Sequence, residues 1–115
     1  GGDIEFTLDF PTSFANVRYE IFVSAVGTGP TLRNGVKIPL TLDYLMRRMH
    51  SNPPPTWIRQ RGALNASGDS TSTLPMTPIF AAIYLGRTLW FAAITTTANG
   101  APTDSSMPSP VTMLP

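Results

Sequence analysis

Residues 79–97, read as IFAAIYLGRTLWFAAITTT, decide how this chain is to be folded on paper. Two apolar runs of strand length, rich in aromatic and β-branched side chains, meet at Gly86-Arg87, and that pattern predicts a pair of adjacent antiparallel strands. Both runs are nearly continuous rather than alternating. Such strands have cover on both faces, one face on the domain's own core and the other with a second copy of the chain as the candidate cover.

Working outward, Asp3 to Phe10 alternates, with Ile4, Phe6, Leu8 and Phe10 on one face and Asp3, Glu5, Thr7 and Asp9 on the other. This is the signature of a half-buried strand. Val17, Tyr19, Ile21 and Val23 repeat it against Arg18, Glu20 and Ser24, with Phe22 the exception. Asn34-Gly35 predicts a two-residue hairpin turn between Thr31-Leu32 and Val36-Ile38, since both central positions of that turn need positive φ. One helix is predicted after it: Thr41 as cap, Asp43 in the first turn, and Leu42, Leu45, Met46 and Met49 at i, i+3, i+4 and i+7. Arg47, Arg48 and His50 suit its C-terminal end, and Pro53-Pro54-Pro55 stops it. Trp57 to Arg61 reads as a short strand. Gly62 to Thr77 and Ala98 to Pro110 read as exposed loops, and Val111 to Leu114 as a last short strand.

Composition sets the outer limits. The 115 residues suffice for one domain burying roughly two thirds of its unfolded surface. Gly1-Gly2 reads as a linker remnant, leaving 3–115 as a single β domain. Without cysteine there is no thiolate chemistry and no disulfide framework, and the compartment stays open. Eight Lys+Arg against seven Asp+Glu give a net charge of +1, so no overall field draws the chain to nucleic acid or to an anionic membrane. No apolar run is long enough for a membrane-spanning helix. Charged residues are only 13% of the chain, which predicts a polar but sparsely charged surface.

Candidate chemistry is thin. A Ser-His-Asp arrangement needs His50 as base, Ser51, Ser70 or Ser72 as nucleophile and Asp43 or Asp69 as orienter, and no spacing supports it; capping explains His50. Asp3, Glu5 and Asp9 share one strand face and stand as conceivable ligands of calcium or another oxygen-bound cation, against the plainer reading of a solvated face; Asp69 and Asp104 are similar loop candidates. Arg47, Arg48, Arg59 and Arg61 with Trp57 make a small basic and aromatic patch, better suited to a protein interface than to single-stranded nucleic acid. Trp57, Arg59 and Arg61, with outward residues of the 79–97 segment, are therefore the self-association candidates. Asn65-Ala66-Ser67 is an N-glycosylation triplet. The Asn65 to Thr73 and Asn99 to Ser106 loops, with Asn65, Ser67, Asp69, Ser70, Thr71, Asn99, Thr103, Asp104 and Ser105, are the candidate receptor-facing surfaces.

A Gly-Gly lead-in, cysteine-free alternating strands such as DIEFTLDF and VRYEIFVS, loops such as NASGDSTSTLP and TTTANGAPTDSSMPSP, and an apolar segment near the C-terminus run the length of the chain. In this organisation it resembles the protruding domains of small icosahedral RNA-virus capsid proteins, above all the short C-terminal spike domain of nodaviruses infecting shrimp and prawns. The resemblance implies a β-barrel or jelly-roll module, two copies paired into a spike on the virion, and exposed loops meeting the host receptor and antibodies. Fish-infecting relatives bind calcium in this domain through clustered acidic residues; no such cluster can be placed on this sequence, so neither calcium nor any receptor contact is carried over. The expectation is thus a mainly β, antiparallel sandwich or jelly-roll-like barrel of about seven strands with one short helix. Its expected role is non-enzymatic: a homodimeric virion spike that attaches to a host-cell receptor or glycan, without cofactor, nucleic-acid binding or membrane insertion. The alternative is a monomeric carbohydrate-binding module of a secreted protein.

Overall fold

A computed structural model describes residues 3–33, 35–52, 54–75, 82–84, 86–97, 102–105 and 109–112. Among them the chain is mainly β, with nine strands, one α-helix and a single 3-10 turn at Thr12–Phe14. The strands are β1 (Ile4–Asp9), β2 (Arg18–Ser24), β3 (Thr31–Arg33), β4 (Val36–Ile38), β5 (Arg61–Ala63), β6 (Asp69–Leu74), β7 (Thr88–Thr96), β8 (Pro102–Ser105) and β9 (Ser109–Thr112). The helix α1 spans Tyr44–Ser51. All pairings are antiparallel, in a central sheet β5-β2-β7-β8 with β9 also on β7, a ribbon β1-β6 and a hairpin β3-β4. These sheets do not close into a barrel among the described residues.

The centre of the fold is the β2–β7 pair, in register from Arg18↔Thr96 to Ser24↔Trp90. Strand alternation sends Tyr19, Ile21, Val23, Leu89 and Phe91 into one core cluster and Phe22, Ala92 and Ile94 into a second. The first is closed by β1 and β6, which add Leu8 and Leu74; Phe6 lies with its ring 4.8 Å from that of Phe91. Ile38, Leu40 and Met46 close the second. The double coverage read from the apolar 88–96 run is present, and its second layer is the chain's own hairpin and helix rather than another copy. Each large side chain buried this way contributes about 1.5–3 kcal/mol before ordering costs.

The paired-strand reading of 79–97 holds for its second half only. Ala82 and Ile83 are helical and Tyr84 lies in a turn, closed by the Arg87 N–H donating to the Tyr84 carbonyl at 3.0 Å; residues 79–81 lie outside the described residues. The physical reason is occupancy. One hydrogen-bonding side of β7 belongs to β2 and the other to β8 and β9. A short apolar run does not by itself distinguish strand from helix.

Two more expectations change. The loop read over residues 62–77 contains β6, which pairs with β1 over six residues from Ile4↔Leu74 to Asp9↔Asp69, and the loop read over 98–110 contains β8. β6 (DSTSTL) and β8 (PTDS) are built almost wholly of Ser, Thr, Asp and Pro, so sheet position overrides composition. Conversely, Trp57 to Arg61 is not a strand: only Ile58 bridges to Thr73, and β5 begins at Arg61.

An eight-residue helix is marginal alone and must be held by its surroundings. Asp43, not Thr41, caps α1: one carboxylate oxygen accepts from the Met46 N–H at 2.8 Å and the other from the Ala25 N–H at 2.8 Å and the Ser24 hydroxyl at 3.1 Å. Thr41 instead accepts from the Gly29 N–H at 2.9 Å. At the far end His50 binds Glu20 of β2, so the helix is fastened to one strand at both ends. None of the described helices is long and apolar enough to cross a membrane.

Candidate functional site

The β1–β6 ribbon has two unlike faces. Ile4, Phe6 and Leu8 stand opposite Leu74, Ser72 and Ser70 and point to the core, while Glu5, Thr7 and Asp9 stand opposite Thr73, Thr71 and Asp69 and point outward. Along the free edge of β6 the main-chain carbonyls are all taken. Thr73 exchanges bonds with Ile58 at 2.8 and 3.1 Å, the Arg59 Nε–H donates to Thr71 O at 2.8 Å, and the Asn65 N–H donates to Asp69 O at 2.8 Å. Arg59 is held there with φ at +55°, the left-handed region, and a second guanidinium bond to the Thr71 hydroxyl at 3.1 Å fixes it.

Asn65 builds the turn into β6. Its side-chain oxygen accepts from the N–H groups of Ser67 at 2.8 Å and Asp69 at 3.0 Å, an Asx turn. Gly68 is required by the same turn. Its φ is +83°, and a Cβ would sit 2.6 Å from the Phe10 and Pro11 carbonyls.

These elements bring Arg59, Asn65, Asp69, Ser70 and Thr71 together with Thr7 and Asp9 around an open depression of about 610 Å³. Its lining offers hydroxyls, an amide, a guanidinium and two carboxylates, the groups that bind a hydroxyl-rich ligand. Asp69 is pushed above the ordinary carboxylate range, first by its partial burial, then by the hydrogen bond with Asp9 and the repulsion from that carboxylate across the ladder. Among the described residues no group of three or more His, Cys, Asp or Glu side chains converges on one point. Asp3, Glu5 and Asp9 share a face but stand in line along the strand, about 7 Å between alternate positions.

The remaining candidates separate. Trp57 is 6% exposed, packs 6.3 Å from the Phe6 ring and donates its Nε1–H to the Ser72 hydroxyl at 3.0 Å. It belongs to the core, which corrects its reading as a surface residue of the basic and aromatic patch and as a self-association candidate. Arg61 turns to the opposite side of the molecule and binds Glu20, its Nε 3.2 Å from Oε1. Ser67 is exposed at the turn tip. Ser70 is half-buried, its hydroxyl 3.0 Å from that of Tyr19, so as an outward-facing contact it is corrected to an inward one at the rim. Thr103, Asp104 and Ser105 form β8 rather than a loop; Thr103 and Asp104 are exposed, and the Thr103 hydroxyl lies 2.9 Å from that of Thr95. Asn99 lies outside the described residues.

The reading of Glu20 as a solvent-facing strand residue is overturned. Glu20 is 4% exposed, and around its carboxylate meet the His50 Nδ1–H, the Arg61 guanidinium and the Gln60 amide, the last at 3.3 Å. Arg61 also donates to the His50 carbonyl, and Gln60 to the Ile21 carbonyl at 2.8 Å. Phe22 was the one sign in the sequence that this face of β2 is covered. The hydroxyls suggested for a triad lie elsewhere: Ser51 donates to the Arg47 carbonyl at 2.8 Å, Ser70 meets Tyr19, and Ser72 donates to the Ile58 carbonyl at 2.8 Å. Among the described residues His50 therefore has a carboxylate partner and no bonded nucleophile.

No family model, no characterised protein and no solved structure matches this chain.

Proposed function

We propose that this chain is a non-enzymatic attachment domain, the protruding domain of a small RNA-virus capsid protein, which pairs with a second copy on the virion and holds host-cell glycans in the depression between Arg59 and Asp69. The observation that carries the attachment role is the gathering of Arg59, Asn65, Asp69 and Thr71 into one open polar hollow. Open, hydroxyl-lined hollows bind weakly, and repetition over a particle turns weak contacts into firm attachment. The capsid assignment rests on the sequence resemblance, and a jelly-roll-like sandwich is the architecture such a module would have.

The rival, a monomeric carbohydrate-binding module, would stack sugars on exposed aromatic rings, and Trp57, at 6% exposure, does not offer one. The test is binding of the domain, displayed in many copies on a bead, to a glycan array, together with sedimentation of the free domain. The proposal expects a concentration-dependent dimer and bead binding that falls at least tenfold, on the order expected when several hydrogen bonds per site are lost from a multivalent contact, in Arg59→Ala. Binding by a strict monomer, or binding indifferent to Arg59→Ala and Thr71→Ala, contradicts it.

A further inference from the structure

Among the described residues the other edge of the ribbon is open. Phe10 donates its N–H to Gly68 O at 3.0 Å, and the main-chain groups of Thr73 face Ile58, away from β1. N–H and C=O alternate sides along an antiparallel strand, so Glu5, Thr7 and Asp9, opposite Thr73, Thr71 and Asp69, turn their main-chain groups away from β6. No described strand pairs with β1 on that side. An unpaired edge is a template for an added strand.

Beside this edge runs a groove of about 580 Å³, with Thr7 and Asp9 on one wall and Asp104 and Ser105 of β8 on the other. Phe6, Phe10, Ile21 and Phe91 supply apolar surface at its base. Of the chain's seven acidic residues, Glu5, Asp9 and Asp69 belong to this ribbon, Asp104 lines the groove, and Asp3 directly precedes β1. The other two, Glu20 and Asp43, are spent on the helix. Of the cations close by, Arg59 is committed to Thr71, and Lys37 lines a separate depression with Asp104, on the side of β8 toward β4. A second copy pairing β1 with β1 about a two-fold axis at Thr7 would set Glu5 against Asp9, like charges directly opposed.

We propose that the β1 edge and its groove bind an extended basic segment of a partner protein, which adds a strand to β1, sets alternate apolar side chains against Phe6, Phe10 and Phe91, and places Lys or Arg over Glu5, Asp9 and Asp104. Main-chain bonds supply part of the affinity, and the alternation of basic and apolar residues supplies the selectivity. This surface shares Thr7 and Asp9 with the rim of the glycan hollow, but its test reads peptide binding and stands or falls without the glycan reading.

The test uses the intact domain and a labelled eight-residue peptide of alternating lysine and valine, followed by fluorescence anisotropy and amide hydrogen exchange. The expected result is saturable binding, at least about tenfold tighter than for the glutamate–valine counterpart and weakened about tenfold by half-molar salt. Exchange slows at Glu5, Thr7 and Asp9. Glu5→Lys with Asp9→Lys, both exposed positions, reverses the preference between the two peptides. Methylating alternate peptide nitrogens abolishes binding. Equal binding of the methylated peptide, no change in preference on charge reversal, or protection away from β1 overturns the proposal. So does protection of the same amides by raised protein concentration alone, which would assign the edge to a second copy.

Discussion

A single carboxylate on one side of the central sheet and a pair of them on the other are handled in opposite ways. Glu20 is buried on β2 and surrounded by His50, Arg61 and Gln60, contacts that fasten the end of α1 and the residues entering β5 to β2. Asp9 and Asp69 face one another across an outer ladder, with Arg59 turned to the Thr71 main chain instead of to either of them. Buried charge must be matched or the fold fails, whereas like charges on a surface ladder cost little enough to be kept. Glu20 therefore serves stability, and the acid pair does not.

The sharpest way to break this contrast is Glu20→Gln. It leaves Arg61 and His50 without their anion, and we expect a loss of about 2 kcal/mol in urea unfolding. That is below the ~3–5 kcal/mol of a fully buried pair, because the Arg61 and His50 side chains are 48% and 38% exposed. A neutral result would place the helix's attachment in its apolar face alone.

A smaller effect of opposite sign is expected from Asp69→Asn. With its folded pKa raised, Asp69 in the wild type contributes stability that is fully present below the ordinary carboxylate pKa and is lost as pH rises through the raised value. Asp69→Asn should therefore unfold at higher urea than wild type at neutral pH, and the advantage should vanish on acidification. An advantage that persists at low pH would have a cause other than charge.

Much of the fold was legible where alternation is clean. β1, β2 and the β3–β4 pairing lie where the pattern puts them, because apolar residues at period two settle strand and inward face for β1 and β2; Asn34, read as a turn residue, lies outside the described residues. β6 was not legible: DSTSTL has no apolar alternation until Leu74, and only pairing with β1 makes it a strand. Residues 82–84 were misread for the converse reason, since an apolar run carries no record of which strand edges are already taken.

The site was legible as residues and not as an arrangement. Asn65, Asp69 and Thr71 could be chosen for their surroundings, but that Asp69 meets Asp9, sixty residues away in sequence, depends on register. Trp57 was misassigned because its neighbours Arg59 and Arg61 are surface residues while the indole follows the core. Glu20 was hidden by a rule that alternation obeys only while one face stays open to water.

The central claim, that the outer ribbon carries an acid pair with no ion-pair partner among the described residues, is tested most directly by following the Asp9 and Asp69 carboxyl carbons by NMR through an acid titration. The account predicts an Asp69 midpoint above the ordinary carboxylate range, falling toward it when Asp9 is replaced by Asn. An ordinary midpoint that ignores Asp9→Asn would mean that the two carboxylates do not share a site, and the contrast with Glu20 would be lost.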